Sequence, residues 1–377
     1  MVTNSYTKEI DDLIYLLSCS IRGLSPDVDR VDNMDLSSIY QLASYHSVAA
    51  MTAFALEQAI SLPSDFDQAK KKAIRKLALF DIERGKLFKS LDDNQIWYLP
   101  LKGIILKDYY PRYGMREMAD NDILCDIDRM PDVKRILEGF GFHCERFGKG
   151  VHDIYSKSPL SFEIHRSLFD EKETKDLYDY YKDVKQKLIH PKEGSFGFSF
   201  TDEDFYLYIL AHEYKHYLLG GTGIRSLIDT FVFLEHCTQL DRNYIDKELK
   251  KLGITDFEKL IRNLSKAIFS DRPLTDAEKE SLLFFVSSGT YGRLESYYQN
   301  YMIGKVSDNS KKAKIAYVLK RIFVSGEELR TKFPFYYRHK ILLPALYIQR
   351  LFKAVFIKPK AVRRELKVLQ TYNKEDE

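Results

Sequence analysis

The sequence predicts an α+β protein, a small mixed sheet flanked by N- and C-terminal helical regions. Three observations predict it. Residues 4 to about 92 read as helices. Short apolar or alternating runs, separated by Gly-rich or Ser-Pro turns, fill Ile96 to His165. Helical spacing then returns after Asp202. The expected boundaries are 1–92, 93–200 and 201–377.

In the first region Asp35 can cap a helix through Leu36, Ile39, Leu42, Ala43 and Val48. Ser64 can cap a longer one through Ala69, Ala73, Leu77, Leu79, Ile82 and Leu87, which the Asp92-Asp93-Asn94 cluster ends. In the second, Ile96 to Leu99 reads as a short buried strand, and Lys102 to Tyr110 as a helix opened by Gly103. Asp122 to Ile127 is the next strand, and Pro131 to Glu138 a helix with Pro in its first turn. Phe142 to Phe147, His152 to Tyr155 and Ser161 to His165 complete the sheet, with its helices on one side. In the third, Asp204 to Leu219 is a helix ended by Gly220-Gly221, and Arg225 to His236 another; weaker ones fill 242 to 330. The last stretch, Phe335 to Val368, is basic and apolar, with Arg350 and Lys353 among its cations. Its apolar residues fall at helical spacing, so packing on the helical region is expected; the alternative is a surface for an anionic partner.

Composition narrows the function classes. With 45% hydrophobic and 30% charged residues the composition is that of an ordinary globular protein, and long disordered tracts are not expected. A formal charge of +3 argues against a dedicated nucleic-acid binder. Cys19, Cys125, Cys144 and Cys237 show no metal or disulfide spacing and read as reduced thiols of a cytoplasmic protein. No signal peptide is visible, and the apolar run Ile341 to Ile348, interrupted by Pro344, is too short to span a bilayer.

The chemistry-bearing residues concentrate in the middle. In an extended strand Asp120 and Asp122 share a face, and Glu163 sits between Phe162 and Ile164 in a second apolar run. Three oxygen donors on neighbouring strands suit Mg²⁺ (or Mn²⁺) carrying a nucleoside triphosphate. Gly103 at a helix start, with Lys102 and Arg116, would receive the phosphates. Two residues from Glu163, His165 suits a supporting hydrogen bond. Asp126 and Asp128, at the strand exit, read as solvated. Arg225 and Asp229 are four apart and suit an intrahelical ion pair. A competing motif is His212-Glu213-Tyr214-Lys215-His216, which matches the H-E-x-x-H of zinc peptidases, with Glu235 as a candidate third ligand. Packed or hydrogen-bonded histidines are the ordinary reading of that pair.

Leu101-Lys102-Gly103, Arg116, Asp120-x-Asp122-Ile123-Leu124 and Gly139-Phe140-Gly141-Phe142 resemble the bacterial uncharacterised nucleotidyltransferase family of the DNA polymerase β-like superfamily. The resemblance continues through Glu163-Ile164-His165, Ala211-His212, His216, Arg225, Asp229 and the basic end Lys332 to Arg350, covering about 85 to 355. Where the wider superfamily carries Gly-Ser or Gly-Gly, this chain has Lys102-Gly103-Ile104. The resemblance implies a nucleotidyltransferase-like central domain that moves a nucleoside monophosphate from a triphosphate to a hydroxyl acceptor. Asp120, Asp122 and Glu163 would be catalytic metal ligands, and Lys102, Gly103 and Arg116 would bind the nucleotide. His165, His212, His216 and Arg225 would support them or meet the acceptor, with a small molecule or sugar favoured over protein or RNA. The two other readings are a zinc metallopeptidase on His212, Glu213 and His216, and a non-catalytic nucleotide-binding protein of the same fold.

Overall fold

The computed structural model describes residues 6–190, 193–219, 221–270, 272–288, 334–344 and 346–347. Helices α1 (Lys8–Arg22), α2 (Val28–Asp32), α3 (Leu36–Tyr45), α4 (Ala49–Leu56) and α5 (Ser64–Asp93) come first. Asp35 caps α3 as expected, accepting from Ser37 N and Ser38 N at 3.1 Å. That helix stops short of Val48 because Ser47 turns left-handed (φ 55°), and α4 starts anew with all eight residues buried. On α5 the N-cap is Pro63 rather than Ser64, which is its first helical residue; Asn94 closes it as the Asp-Asp-Asn cluster predicts.

The sheet contains β1 (Tyr98–Pro100), β2 (Asn121–Cys125), β3 (His143–Arg146), β4 (His152–Lys157) and β5 (Leu160–His165), ordered β1-β2-β5-β4-β3. Only β2 and β5 run parallel; the other neighbours are antiparallel. Between β1 and β2 the chain makes the four-residue helix α6 (Gly103–Leu106) and a 3₁₀ turn at Lys107–Tyr109, instead of one helix to Tyr110. Helix α7 (Met130–Gly139) follows β2 with Pro131 in its first turn.

After β5 come α8 (Lys175–Tyr181), α9 (Asp202–Leu219), α10 (Ile224–His236), α11 (Arg242–Leu252), α12 (Thr255–Ile268) and α13 (Asp276–Ser288). At the end of α9 Gly221 takes φ 94°, and its N–H reaches the His216 carbonyl at 2.9 Å. No described helix is long and apolar enough to cross a membrane.

Side-chain alternation divides the sheet. Ile123, Cys125, Phe162 and Ile164 pack with Phe80, Leu87, Val133 and Leu137 of α5 and α7. On the opposite face Leu99 and Leu124 join a larger apolar cluster built with α1, α4, α9, α10 and α12. Helices therefore cover both faces rather than one. Asp122, Glu163 and His165 belong to the second face, buried between layers except where a cavity opens. These elements lie within one compact unit, residues 1–217 with 221–291.

A second unit contains the described residues near the C-terminus: a helix at Pro334–Arg338, a 3₁₀ turn at Lys340–Leu342, and a buried Leu346 packed by Tyr336, Leu343 and Tyr347. Most of the basic stretch expected to form a helix, including Arg350 and Lys353, lies outside the described residues, as do the helices expected between 289 and 330.

Candidate active site

One cavity of about 290 Å³ is lined by Lys102, Gly103, Arg116, Asp120, Asp122, Glu163, His165, His212, His216 and Arg225, all singled out above, and by Glu213 and Asp229. Its floor is the sheet. The parallel register sets Asp122 beside Glu163 and Leu124 beside His165, so the carboxylates and the imidazole emerge together. Asp120 is the residue just before β2 and reaches the same cavity.

Lys102 sits at a backbone position few L-residues adopt, φ 42° and ψ −112°. Bonds on both sides impose it. Leu101 N donates to Asp122 O (3.0 Å), while Lys102 O accepts from Ile105 N (3.0 Å) and Leu106 N (2.9 Å). The bend brings Lys102 Nζ to 3.2 Å from Asp122 Oδ2. Packing requires a glycine at 103: a Cβ there would collide with Arg116 Nη1 and press on Met118. With only four residues, α6 is too short for a developed helix dipole.

The acids titrate differently. Burial raises Asp120, and the charge of Asp122 adds to the rise. Burial would raise Asp122 as well, but Lys102 and the hydrogen bond with His165 outweigh it and hold it well below the usual carboxylate range. His165 Nε2 lies 2.8 Å from Asp122 Oδ1. Glu163 is pushed up to about 7, first by burial and then by Asp122 and Asp120.

A residue that sequence reasoning missed completes the floor. His152 on β4 pairs in register with His165, their rings 4.9 Å apart, and its Nε2 lies 3.2 Å from Glu163 Oε2. Burial lowers both imidazoles, His152 to about 3. With the proton on Nε2 each can donate to its carboxylate. The buried Nδ1 atoms of both rings have no hydrogen-bond partner, which fits bare acceptor nitrogens. The signal for His152 was present: a two-residue loop at Ser158-Pro159 pairs Lys157 with Leu160 and carries His152 opposite His165. Among the described residues, the His152, Glu163 and His165 ligand atoms form the one group of three or more lying within 4.8 Å of one another.

Helices α9 and α10 form the opposite wall. His212 and His216 meet each other, Nε2 to Nε2 at 2.9 Å, and Glu213 accepts from Thr222 Oγ1 at 2.6 Å. Burial holds both histidines far below their ordinary value, His216 at about 3 although its ring opens onto the cavity. Glu235 lines a different cavity, beside Tyr109 and His236, so it cannot act as the third zinc ligand expected of it. No observation supports a peptidase.

The cations differ most from expectation. Arg116 is spent on Asp229: Nε to Oδ1 and Nη2 to Oδ2 both measure 2.8 Å, and Tyr110 Oη adds a bond of 2.6 Å to the same carboxylate. The Arg225–Asp229 pair suggested by spacing does not form. Arg225 instead makes a long bond (3.4 Å) to the Glu117 carbonyl and has no ion pair among the described residues. Lys215, unmarked in the sequence except as the variable residue of the H-E-x-x-H match, also faces the cavity; burial, then Lys102, lowers it to about 8.

A family model described as uncharacterised nucleotidyltransferase matches residues 32–270. No curated protein and no solved structure matches the chain.

Proposed function

The chain belongs to the uncharacterised nucleotidyltransferase family, and from that premise we propose that its central cavity transfers a nucleoside monophosphate from a triphosphate to a hydroxyl acceptor with a divalent cation. The observation that carries the reading is the β2–β5 register, which sets the Asp122 and Glu163 carboxylates side by side in one cavity beside Lys102. The donor set fits such a cation. Asp120, Asp122 and Glu163 line one cavity, and Asp120 and Glu163 are raised by burial and by their neighbours' charge, an electrostatic cost that a bound Mg²⁺ or Mn²⁺ relieves; His152 and His165 are the groups whose ligand atoms lie nearest Glu163.

Asp120 and Asp122 would hold the ion, which neutralises the triphosphate and the departing pyrophosphate. The acceptor oxygen attacks the α-phosphorus, the bond to the β-phosphate oxygen breaks, and the hydroxyl proton passes to Glu163. His165 and His152 fix the orientation of Asp122 and Glu163. Arg225 and Lys215, without ion pairs among the described residues, take the phosphate-binding part first expected of Arg116.

The test is to incubate the protein with each labelled nucleoside triphosphate, Mg²⁺ or Mn²⁺ and cell extract. Metal-dependent label on an extract component is expected, absent with Asp122→Asn. Glu163→Gln should keep triphosphate binding and lose transfer. Equal transfer by wild type and Asp122→Asn would refute the assignment. Triphosphate binding without transfer to any component would favour a nucleotide-binding protein that does no chemistry.

A further inference from the structure

A second cavity, of about 520 Å³, meets the first at Met118, Ala119 and Arg225, which line both. Its character is cationic. Lys72 and Lys76 project from one face of α5 a single turn apart, with Ala69 and Ala73 leaving the hollow between α5 and the end of α3. In the run Lys70-Lys71-Lys72 the first lysine pairs with Glu57 and the second with Asp67, whereas Lys72 has no ion pair or hydrogen bond among the described residues. Like charges one turn apart weaken a helix, a cost that Glu117, facing both lysines, and Asp120, beside Lys76, offset only in part. Lys76 is steered to the junction of the cavities by its bond to Ala119 O (2.9 Å), next to Asp120. Glu117 is the one acid in the wall. Its Oε1 is occupied by Ala50 N at 2.9 Å, so the three cations outnumber it.

We propose that this second cavity binds the acceptor, and that the acceptor carries a phosphate group. The proposal rests on the nucleotidyl-transfer reading, which assigns the carboxylate cavity to the donor. Neither Asp122 nor Glu163 lines the second cavity, so a donor held on those acids leaves it vacant for the other reactant. Arg225, in both walls, contacts both. A phosphate monoester matches the net positive lining of this cavity better than a neutral hydroxyl compound does.

The experiment uses the full chain and direct titration calorimetry, with inorganic phosphate and glucose 1-phosphate as probes, glucose as neutral control, and Mg²⁺–ATP measured separately. Wild type should bind both phosphates and not glucose. Lys72→Glu should weaken both by at least about tenfold, Lys72→Arg should keep them within about threefold, and Mg²⁺–ATP should change by less than about twofold. Phosphate binding that is absent in wild type, or equal in Lys72→Glu, overturns the proposal. Equal weakening of Mg²⁺–ATP and glucose 1-phosphate overturns it too, because the lysines would then serve the donor's own phosphates. Loss of glucose 1-phosphate binding alone supports it. Should wild type bind no nucleoside triphosphate at all, the transfer reading fails while a Lys72-dependent phosphate site stands.

Discussion

Lys102 concentrates at one residue the tension between stability and function. A backbone at φ 42° costs a β-carbon-bearing residue roughly 1–3 kcal/mol. A glycine would adopt it freely, yet a lysine stands there, with its amine 3.2 Å from Asp122. Lys102→Gly should therefore raise the melting temperature, or leave it unchanged after the ion pair is lost, while abolishing nucleotide transfer. Lys102→Ala should lose transfer and also stability, since it keeps the backbone strain without the pair. Thermal unfolding of the two variants decides the matter: a glycine variant less stable than the alanine one would show that the backbone is not strained. The pair Lys102-Gly103 was legible in the sequence, but its packing was not: a Cβ at Gly103 would meet Arg116, and the unusual conformation belongs to the lysine before it.

At the scale of elements, the Arg116–Asp229 pair ties the loop before β2 to α10, with Tyr110 on the same carboxylate. Both partners are buried, and removing one leaves the other charged and unpaired. Arg116→Ala should destabilise the fold by about 3–5 kcal/mol, whereas Arg225→Ala should change stability little and weaken Mg²⁺–ATP binding. Urea unfolding and calorimetry separate the two. If Arg116→Ala folded normally and lost only nucleotide affinity, the sequence-based assignment of Arg116 to the phosphates would be right after all. Spacing could not distinguish the two arginines, because a four-residue interval reports helix neighbours and not the partner a loop brings from more than a hundred residues away. The strands were legible to within two residues at each end, since alternation and turn residues are local signals. The break after Leu106 was not, because Lys107–Tyr109 tighten into a 3₁₀ turn under tertiary contacts that periodicity does not register.

For the whole molecule, the buried acids make the metal-free protein sensitive to pH. Glu163 titrates near 7 in the fold against an ordinary value of 4.5, so the folded state binds more protons than the unfolded chain between those values. Stability should fall as pH rises from about 4.5 to about 7, by on the order of 1–3 kcal/mol from this group. Glu163→Gln should flatten that part of the profile and raise the melting temperature above pH 7. Saturating Mn²⁺ or Mg²⁺ should restore stability to wild type at pH 8. Melting curves across pH with a chelator, then with metal, measure both; a profile unchanged by Glu163→Gln would mean that Glu163 does not carry the shift.

By itself the sequence determined what depends on neighbours along the chain. It determined the α+β class, the five strands, the Asp35 cap, and the Asp120, Asp122 and Glu163 acids on alternating positions, because strand and helix periods fix which side chains share a face. Only the tertiary structure decided which groups meet across elements. It set His152 against Glu163, committed Arg116 to Asp229 and released Arg225, and turned the His212–His216 motif toward the carboxylate cavity and away from Glu235. Among the described residues it also left Lys72 without an ion pair, beside a second hollow. Those outcomes depend on strand register, layer order and burial, and charge pairing in a low-dielectric interior is decided by distance in space, which the order of residues does not contain.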